Sequence, residues 1–306
     1  MTDIIGFDEF TDELKHEVSA RYPDSCVEIR RVTKNNGVIY TGLMIKNEDE
    51  QIYPTVYLEG FYDEAPGGRL TDELVDRICD VYESRRLGRM DLPASLRDYE
   101  CARGNLRCKL INSASNEDYL KDVLHREFLD LSIVPYYLFD AGDLNLSCSS
   151  DASFVIRQAN LDMWGVKEDD VMEESIRNTL DNDNVSIRGM YDLLTELNPS
   201  FASVSPDELK ACPMYVMTTG TCNGAVSMLN EEKLSEFCER IGSDVYVIPS
   251  SINEVILVPR EDTSSSRMFD EMICEINETQ LDAVDVLSDH VYCYDRVGGY
   301  KALDSY

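Results

Sequence analysis

The sequence predicts an α+β protein, with a small N-terminal α-β-β-β-α unit and a larger domain of mixed α/β sheet. Three observations support this fold class. The composition, 43% hydrophobic and 28% charged, is typical of globular proteins. Hydrophobic periodicity in the first third changes from helical to strand-like and back. The remainder alternates short strands with amphipathic helices. At 306 residues the chain fits two ordinary domains, which we expect at 1–104 and 105–306.

The N-terminal unit begins with a helix over residues 7–22, because apolar side chains recur there at helical spacing. Alternating residues then predict three strands, at 26–32, 38–46 and 52–58. Asn35-Asn36-Gly37 is a hairpin-turn signal, since Asn and Gly tolerate positive φ. Thr71 is the expected N-cap of a closing helix that ends near Arg85.

The larger domain is predicted around an apolar, central strand at residues 129–139. Helices are expected at 93–103, 116–123, 161–165, 167–179, 188–197, 231–241 and 264–278. Further strands are expected at 106–111, 152–157, 214–219, 245–249, 254–259 and 291–295. Residues 225–229 fit either a strand or the start of a helix. Gly242 suits the left-handed position that ends a helix.

The charge balance excludes two classes of partner. The chain has 59 acidic and 28 basic residues, a net charge of −31. General nucleic-acid binding needs clustered Lys and Arg to displace counterions from phosphate, and anionic membranes repel such a chain. We therefore expect no general nucleic-acid binding and no membrane association. The partner would be an unknown protein or a small-molecule ligand.

The ten cysteines favour a reducing compartment. None forms a CxxC pair, and three histidines offer no zinc spacing, so no metal site is predicted. The first ten residues lack the basic and apolar regions of a signal peptide. We expect reduced thiols and a cytoplasmic location.

Sequence motifs for bound cofactors are missing. The chain contains no GxxxxGK[ST] loop, GxGxxG fingerprint, GxSxG elbow, HExxH pair or EF-hand loop. No cofactor is therefore predicted, and catalytic residues are left unassigned.

His125, Arg126 and Asp130 form the best polar cluster, just before the apolar strand. A histidine between a base and an acid could shuttle protons near neutral pH. The structural alternative is that His125 and Arg126 make ordinary hydrogen bonds at a turn.

A second candidate site is the turn between two apolar strands near residue 250. Ser250, Ser251, Asn253 and Glu254 bring hydroxyl, amide and carboxylate groups into a short segment. These groups could bind a ligand or provide a nucleophile. Ser and Asn are also common turn formers, and no base is identifiable nearby in sequence.

Basic residues concentrate in one segment, at 85–109, where seven cations face three acids. This segment could bind an anionic ligand or acidic partner, or could match the acidic C-terminal part, which carries −22 over residues 121–306. Residues 261–295 alone hold ten acids and one base, which suits either a solvating surface or a DNA mimic that binds a basic partner. The candidate patch comprises Arg85, Arg86, Arg89, Arg97, Arg103, Arg107 and Lys109.

Several segments together resemble an uncharacterised bacterial family of domain-of-unknown-function type, found mainly in anaerobic gut bacteria. The resemblance covers nearly the whole chain and supplies no activity. In that family histidine is common at position 253, where this chain has Asn253. If that histidine were catalytic, this member would be impaired. The C-terminal two thirds also resembles a second uncharacterised family of cytoplasmic bacterial proteins. The segments that carry the first resemblance are 34–43, 54–58, 125–131, 164–166, 242–244, 252–255 and 287–296.

Three functions follow as hypotheses. The first is a non-catalytic intracellular binding or interaction protein, since no catalytic signature is assembled in the sequence. The second is a hydrolase or transferase that uses the His125 cluster or the Ser250–Glu254 turn. The third is an acidic mimic that binds a basic partner.

Overall fold

The computed structural model describes residues 5–47, 53–86, 98–139, 153–181, 184–198, 213–220, 222–260 and 266–301, with only the backbone of Ser266 and Arg267. Its helices are α1 (Phe7–Arg21), α2 (Glu59–Glu64), α3 (Asp72–Arg85), α4 (Tyr99–Ala102), α5 (Glu117–Leu120), α6 (Gln158–Trp164), α7 (Glu168–Leu180), α8 (Met190–Leu197), α9 (Glu231–Ile241) and α10 (Ser266–Thr279). Its strands are β1 (Cys26–Thr33), β2 (Ile39–Lys46), β3 (Thr55–Tyr57), β4 (Leu106–Asn112), β5 (Arg126–Phe128), β6 (Leu131–Leu138), β7 (Ser153–Val155), β8 (Ser186–Gly189), β9 (Tyr215–Thr218), β10 (Val245–Ile248), β11 (Val255–Pro259), β12 (Tyr292–Asp295) and β13 (Gly299–Lys301). The fold class is α+β, as predicted.

The chain divides into two compact units. The first comprises residues 1–102 with 138–153, and the second comprises 103–137 with 154–306. The sequence-based division at residue 104 stays a prediction about independent domains.

The first unit has the expected α-β-β-β-α order, with the short α2 added between β3 and α3. Its strands form one antiparallel sheet in the order β1-β2-β3. Asn36 and Gly37 adopt positive φ in the hairpin turn, and the Thr71 hydroxyl accepts a hydrogen bond from the Leu74 amide. Apolar residues of α1, α3 and the sheet form one core, which includes Phe10, Leu43 and Ile78.

The smaller sheet of the second unit is built around β6. β6 pairs with β4, β5 and β7, so the predicted central strand is confirmed. The prediction began this strand too early, because residues 129 and 130 form the turn of a hairpin between β5 and β6. Leu129 has a φ of 57°, a value that a strand residue does not adopt. Its side chain is 40% exposed, so it belongs to the turn and not to the buried strand.

The larger sheet has six antiparallel strands in the order β13-β12-β10-β11-β9-β8. The two edge strands, β13 and β8, were not predicted. Residues 186–189 form β8 where the sequence predicted the start of a helix at 188, and α8 begins at Met190. Residues 224–229 form a 3-10 helix, which matches neither alternative in full. Gly242 has a φ of 74° at the end of α9, as predicted.

Helix α7 covers the outer edge of β4. The Cys108 amide donates to the Thr179 hydroxyl at 2.8 Å, and the Asn178 side chain donates to the carbonyl of Leu106 at 3.1 Å. An uncovered strand edge exposes unpaired backbone groups. The side chains of Thr179 and Asn178 therefore form hydrogen bonds with backbone groups of β4 that have no partner strand on that edge among the described residues.

Two buried hydroxyls of the second unit make a matched pair for a stability test. Thr179→Val leaves the buried Cys108 amide without an acceptor, so we expect a loss of about 1–3 kcal/mol. Ser227 is fully buried, and its hydroxyl has no hydrogen-bond partner in the described part of the chain. Ser227→Ala should therefore be neutral or stabilising. Urea unfolding measures both changes, and a larger loss for Ser227→Ala would contradict the assignment.

Among the described residues, no helix combines the length and the apolar character that crossing a membrane requires.

Candidate functional site

Asp130 lies in the turn of the β5–β6 hairpin and binds two hydroxyls from the C-terminal end of the chain. Its Oδ1 accepts from the Tyr292 hydroxyl at 2.7 Å, and its Oδ2 accepts from Ser288 Oγ at 2.8 Å. Both donors are at least 95% buried. Burial, together with the Asp130 carboxylate, raises the pKa of Tyr292 well above its usual value. Asp130 therefore acts as an anchor between the hairpin and the final strands.

Arg126 is held by a different pair of groups. Its guanidinium forms ion pairs with Glu173 at 2.7 Å and with Asp169 at 3.2 Å, both on α7. The hydrogen bond to Glu173 is the main reason that the pKa of Arg126 is raised. These ion pairs connect β5 to α7 and engage the arginine structurally.

His125 has a third environment. Its Nδ1 lies 3.0 Å from the carbonyl oxygen of Val123, an acceptor, so Nδ1 carries the hydrogen. The three members of the sequence cluster thus contact three separate sets of partners.

His125 lines a surface pocket of about 520 Å³. Two cationic side chains, from Lys121 and Arg157, and two carboxylates, from Asp122 and Glu168, share this pocket. The guanidinium of Arg157 also donates to the carbonyl of Asp122 at 3.1 Å. The remaining lining residues are Leu120, Val123, Leu124, Gln158 and Ala159.

The sequence search did not select the pocket residues other than His125. Residues 157–168 are more than 30 positions away from His125, and charged residues there are typical of ordinary helix starts. The tertiary fold brings residues 157–168 close to His125, and hydrophobic periodicity does not predict this contact.

The Ser250–Glu254 turn is closed by its own hydrogen bonds. Ser250 Oγ and Ser251 Oγ each lie 3.4 Å from Glu254 Oε1, and the Asn253 amide donates to Ser251 Oγ at 3.0 Å. Within the described residues, the hydroxyls of both serines are thus engaged by the turn itself and by no histidine. Among the described residues, this arrangement supplies no histidine base for a serine nucleophile.

Asn253 also connects this turn to the segment after β9. Its Oδ1 accepts from the Asn223 amide at 3.0 Å, and its carbonyl accepts from the Thr218 hydroxyl at 2.8 Å. Gly224 lies so close that an added Cβ would be 2.4 Å from the Asn253 carbonyl oxygen. The amide at position 253 therefore has a bracing role.

The basic patch is distributed over both units. Arg85 is exposed and Arg86 pairs with Glu83 in the first unit. In the second unit, Arg103 pairs with Glu174 at 3.4 Å, Arg107 donates to the carbonyls of Gly104 and Leu106, and Lys109 is half-buried on β4. Arg89 and Arg97 lie outside the described residues.

In the ranges that the structure describes, no group of three or more His, Cys, Asp or Glu side chains is placed to hold a metal ion.

The Asp130 anchor predicts strong energetic coupling between Asp130 and Tyr292. Tyr292→Phe should cost about 1–2 kcal/mol in the wild-type protein, because it removes a hydrogen bond from a buried hydroxyl to a carboxylate. The same change should cost far less in Asp130→Ala, where the acceptor is already gone. A double-mutant cycle from urea unfolding measures this difference. Additive losses would show that the hydrogen bond contributes nothing.

The burial of the thiols predicts which cysteines react. Burial raises the pKa of Cys108 to about 12 and that of Cys238 to about 11. Cys101 is exposed, but its hydrogen bond to Asp98 raises the pKa of its thiol; the other exposed cysteines of the described chain are Cys26 and Cys222. At pH 8 a disulfide reagent should modify these two rapidly, and Cys26→Ser and Cys222→Ser should each remove one fast equivalent. Cys108→Ser and Cys238→Ser should leave the fast phase unchanged, and a loss of fast equivalents there would contradict the buried assignment.

A comparison with known proteins gives a family but no activity. No curated protein and no solved structure matches the chain. The model of a family of unknown function, DUF5688, matches residues 7–296, which includes every described candidate residue. The chain therefore belongs to the DUF5688 family.

Proposed function

We propose that this protein is a non-catalytic binding protein and that the pocket beside His125 holds a small polar ligand. The observation that carries the proposal is the convergence of His125, two cations and two carboxylates around one cavity of about 520 Å³. A cavity of this size suits a small molecule. We place it in a reducing bacterial cytoplasm, and the ten cysteines support the reducing setting. The net charge of −31 supports the absence of general nucleic-acid and membrane binding.

Binding is favoured over catalysis because the other candidate groups are engaged elsewhere. Arg126 is paired with two carboxylates, and Asp130 accepts from two buried hydroxyls. The Ser250–Glu254 turn is closed on itself. A hydrolase or transferase mechanism would need a nucleophile and a base within hydrogen-bond reach of each other. Among the described residues, the ring of His125 contacts the Val123 carbonyl and not a nucleophile.

The charges of the pocket favour a zwitterion. Arg157 attracts an anionic group, as does Lys121, whose ammonium also pairs with Asp118 at 2.6 Å. Asp122 and Glu168 attract a cationic group. A ligand with a single charge would meet repulsion as well as attraction. A molecule that carries both an ammonium and a carboxylate, such as a free amino acid or dipeptide, matches both pairs.

Histidine NMR tests the proposal directly, because the chain has three histidines. In a titration with a panel of amino acids and dipeptides, the ring signals of His125 should shift and saturate with at least one ligand. The signals of His16 and His290, which lie outside the pocket, serve as internal controls. Assignment uses His125→Gln, His16→Gln and His290→Gln.

Ala159→Trp provides a pocket-filling variant, since Ala159 is an exposed pocket residue on α6. It should abolish the His125 shifts and leave the melting temperature unchanged. Absence of any saturable His125 shift in the wild type would contradict the binding proposal. Conversion of a panel member, lost in His125→Ala, would replace it with the enzymatic alternative.

A further inference from the structure

Strand β1 forms one edge of the sheet in the first unit. Among the described strands it pairs with β2 alone, and this pairing is continuous over all eight residues from Cys26 to Thr33. Native proteins usually shorten, bulge or cover an edge strand, because a long regular edge offers unpaired backbone groups to another chain. β1 is long and its register is unbroken, so its outer edge is suited to pairing with a further strand.

The hydrogen bonds of β2 show which backbone groups of β1 point outward. In antiparallel pairs, successive residues turn their amide and carbonyl groups to opposite sides of the strand. The Thr41 amide donates to the Glu59 carboxylate and the Thr41 carbonyl accepts from the Leu58 amide, and both partners directly follow β3. Gly42 therefore turns its groups toward β1, where it lies opposite Arg30. Every second residue of β1, counted from Arg30, thus bonds to β2, and the residues between them face the outer edge.

The outward backbone groups belong to Val27, Ile29 and Arg31. Among the described hydrogen bonds outside helices and sheets, none involves the amide or carbonyl of these residues. Val27 is buried in the core of the first unit and Ile29 packs against it, so these side chains lie on the core face of the sheet. Glu28 and Arg30 lie on the opposite face, where they form an ion pair at 2.6 Å and the Arg30 side chain is 57% exposed. A strand added at this edge meets both charges on one face.

The charges of β1 favour one register when two copies of the strand pair. Copies related by a two-fold axis run antiparallel, and directly opposite residues must lie on the same face of the sheet. With Ile29 opposite the same residue of the second copy, each Glu28 lies opposite an Arg30. A centre on Glu28, Arg30 or Arg31 instead places that residue opposite its own copy, and like charges directly opposite each other destabilise a sheet. β1 is therefore self-complementary about Ile29.

We propose that two copies of this chain associate edge to edge through β1, in antiparallel orientation about a two-fold axis at Ile29. The outward groups of Val27, Ile29 and Arg31 then form about six backbone hydrogen bonds with the second copy. On the outer face, the two Glu28 and two Arg30 side chains form a square of alternating charge. The two three-stranded sheets thereby become one continuous sheet, which is the strand-addition type of recognition.

The charge pattern selects a second copy over a strand whose charges have one sign. An acidic strand would meet Glu28 and a basic strand would meet Arg30, whereas β1 itself carries both signs two residues apart. Glu28 also pairs with Lys46 of β2 at 2.7 Å, which holds its carboxylate on the outer face. The net charge of −31 and the acidic α1 oppose association at long range. The measurements therefore use about 0.15 M salt, where charges are screened beyond about 8 Å.

Disulfide cross-linking tests the register on the full chain, with the exposed Cys26, Cys101 and Cys222 replaced by serine. On this background, one variant carries Glu28→Cys and another carries Arg30→Cys. Mild oxidation of their mixture should link one chain of each variant, because directly opposite Cα atoms lie about 4.5–5.5 Å apart, within the range of a disulfide. Each variant alone should link poorly, because its two cysteines are then diagonal neighbours about 7–8 Å apart. The background without either added cysteine measures any linkage through the other thiols.

Sedimentation velocity measures the association of the otherwise unchanged chain. The wild type should form a dimer in a concentration-dependent manner. Arg30→Glu should weaken the dimer about tenfold, because both ion pairs across the two-fold axis become pairs of like charge. Arg77→Glu is the matched control, since it removes the exposed ion pair between Arg77 on α3 and Glu64 on α2. It should leave association unchanged, and both variants should unfold at nearly the wild-type melting temperature.

Three results would overturn the proposal. The first is a chain that stays monomeric up to millimolar concentration. The second is equal linkage in the mixture and in the single variants, because a register centred on Ile29 requires mixed dimers. The third is a dimer that Arg30→Glu leaves intact, which would place the contact outside β1. β1 contributes no residue to the His125 pocket, so each of these results leaves the binding proposal to its own test.

Discussion

The structure of the second unit depends on one half-buried carboxylate that two buried hydroxyls contact. Asp130, at the tip of the β5–β6 hairpin, accepts hydrogen bonds from Ser288 and Tyr292, which lie 158 and 162 positions later in the chain. Burying a hydroxyl costs free energy unless it is hydrogen-bonded, and the Asp130 carboxylate accepts from the two buried hydroxyls of Ser288 and Tyr292. The position of the hairpin is thereby fixed relative to β12 in the six-stranded sheet.

Around this anchor, polar residues that looked catalytic in sequence have structural partners. Arg126 holds β5 to α7 through Asp169 and Glu173, and Asn253 joins its turn to the segment after β9. The amide at position 253 is thus accounted for by its hydrogen bond to the Asn223 amide. What is left for ligand recognition is the pocket that His125 shares with charged side chains from residues 121, 122, 157 and 168.

Local patterns were enough to predict much of the fold. The α-β-β-β-α order, the Thr71 cap, the turn at Asn36 and Gly37, and the glycine at the end of α9 each depend on a few adjacent residues. Errors arose where tertiary contacts decide. The hairpin at Leu129 interrupts an apolar run, and β8 is a strand because β9 pairs with it. The partners of Asp130 and the pocket residues are brought together only by the fold, so no local pattern could reveal them.

The most direct test of this account compares Asp130→Ala and His125→Ala in two measurements on the same samples, the free energy of unfolding and ligand binding at a temperature where both variants are folded. Binding is followed by the backbone amide signals of residues 120–124. The account predicts that Asp130→Ala loses stability and still binds, and that His125→Ala keeps its stability and loses binding. Loss of binding in both variants with stability unchanged would contradict it, because Asp130 and His125 would then act together in one functional site.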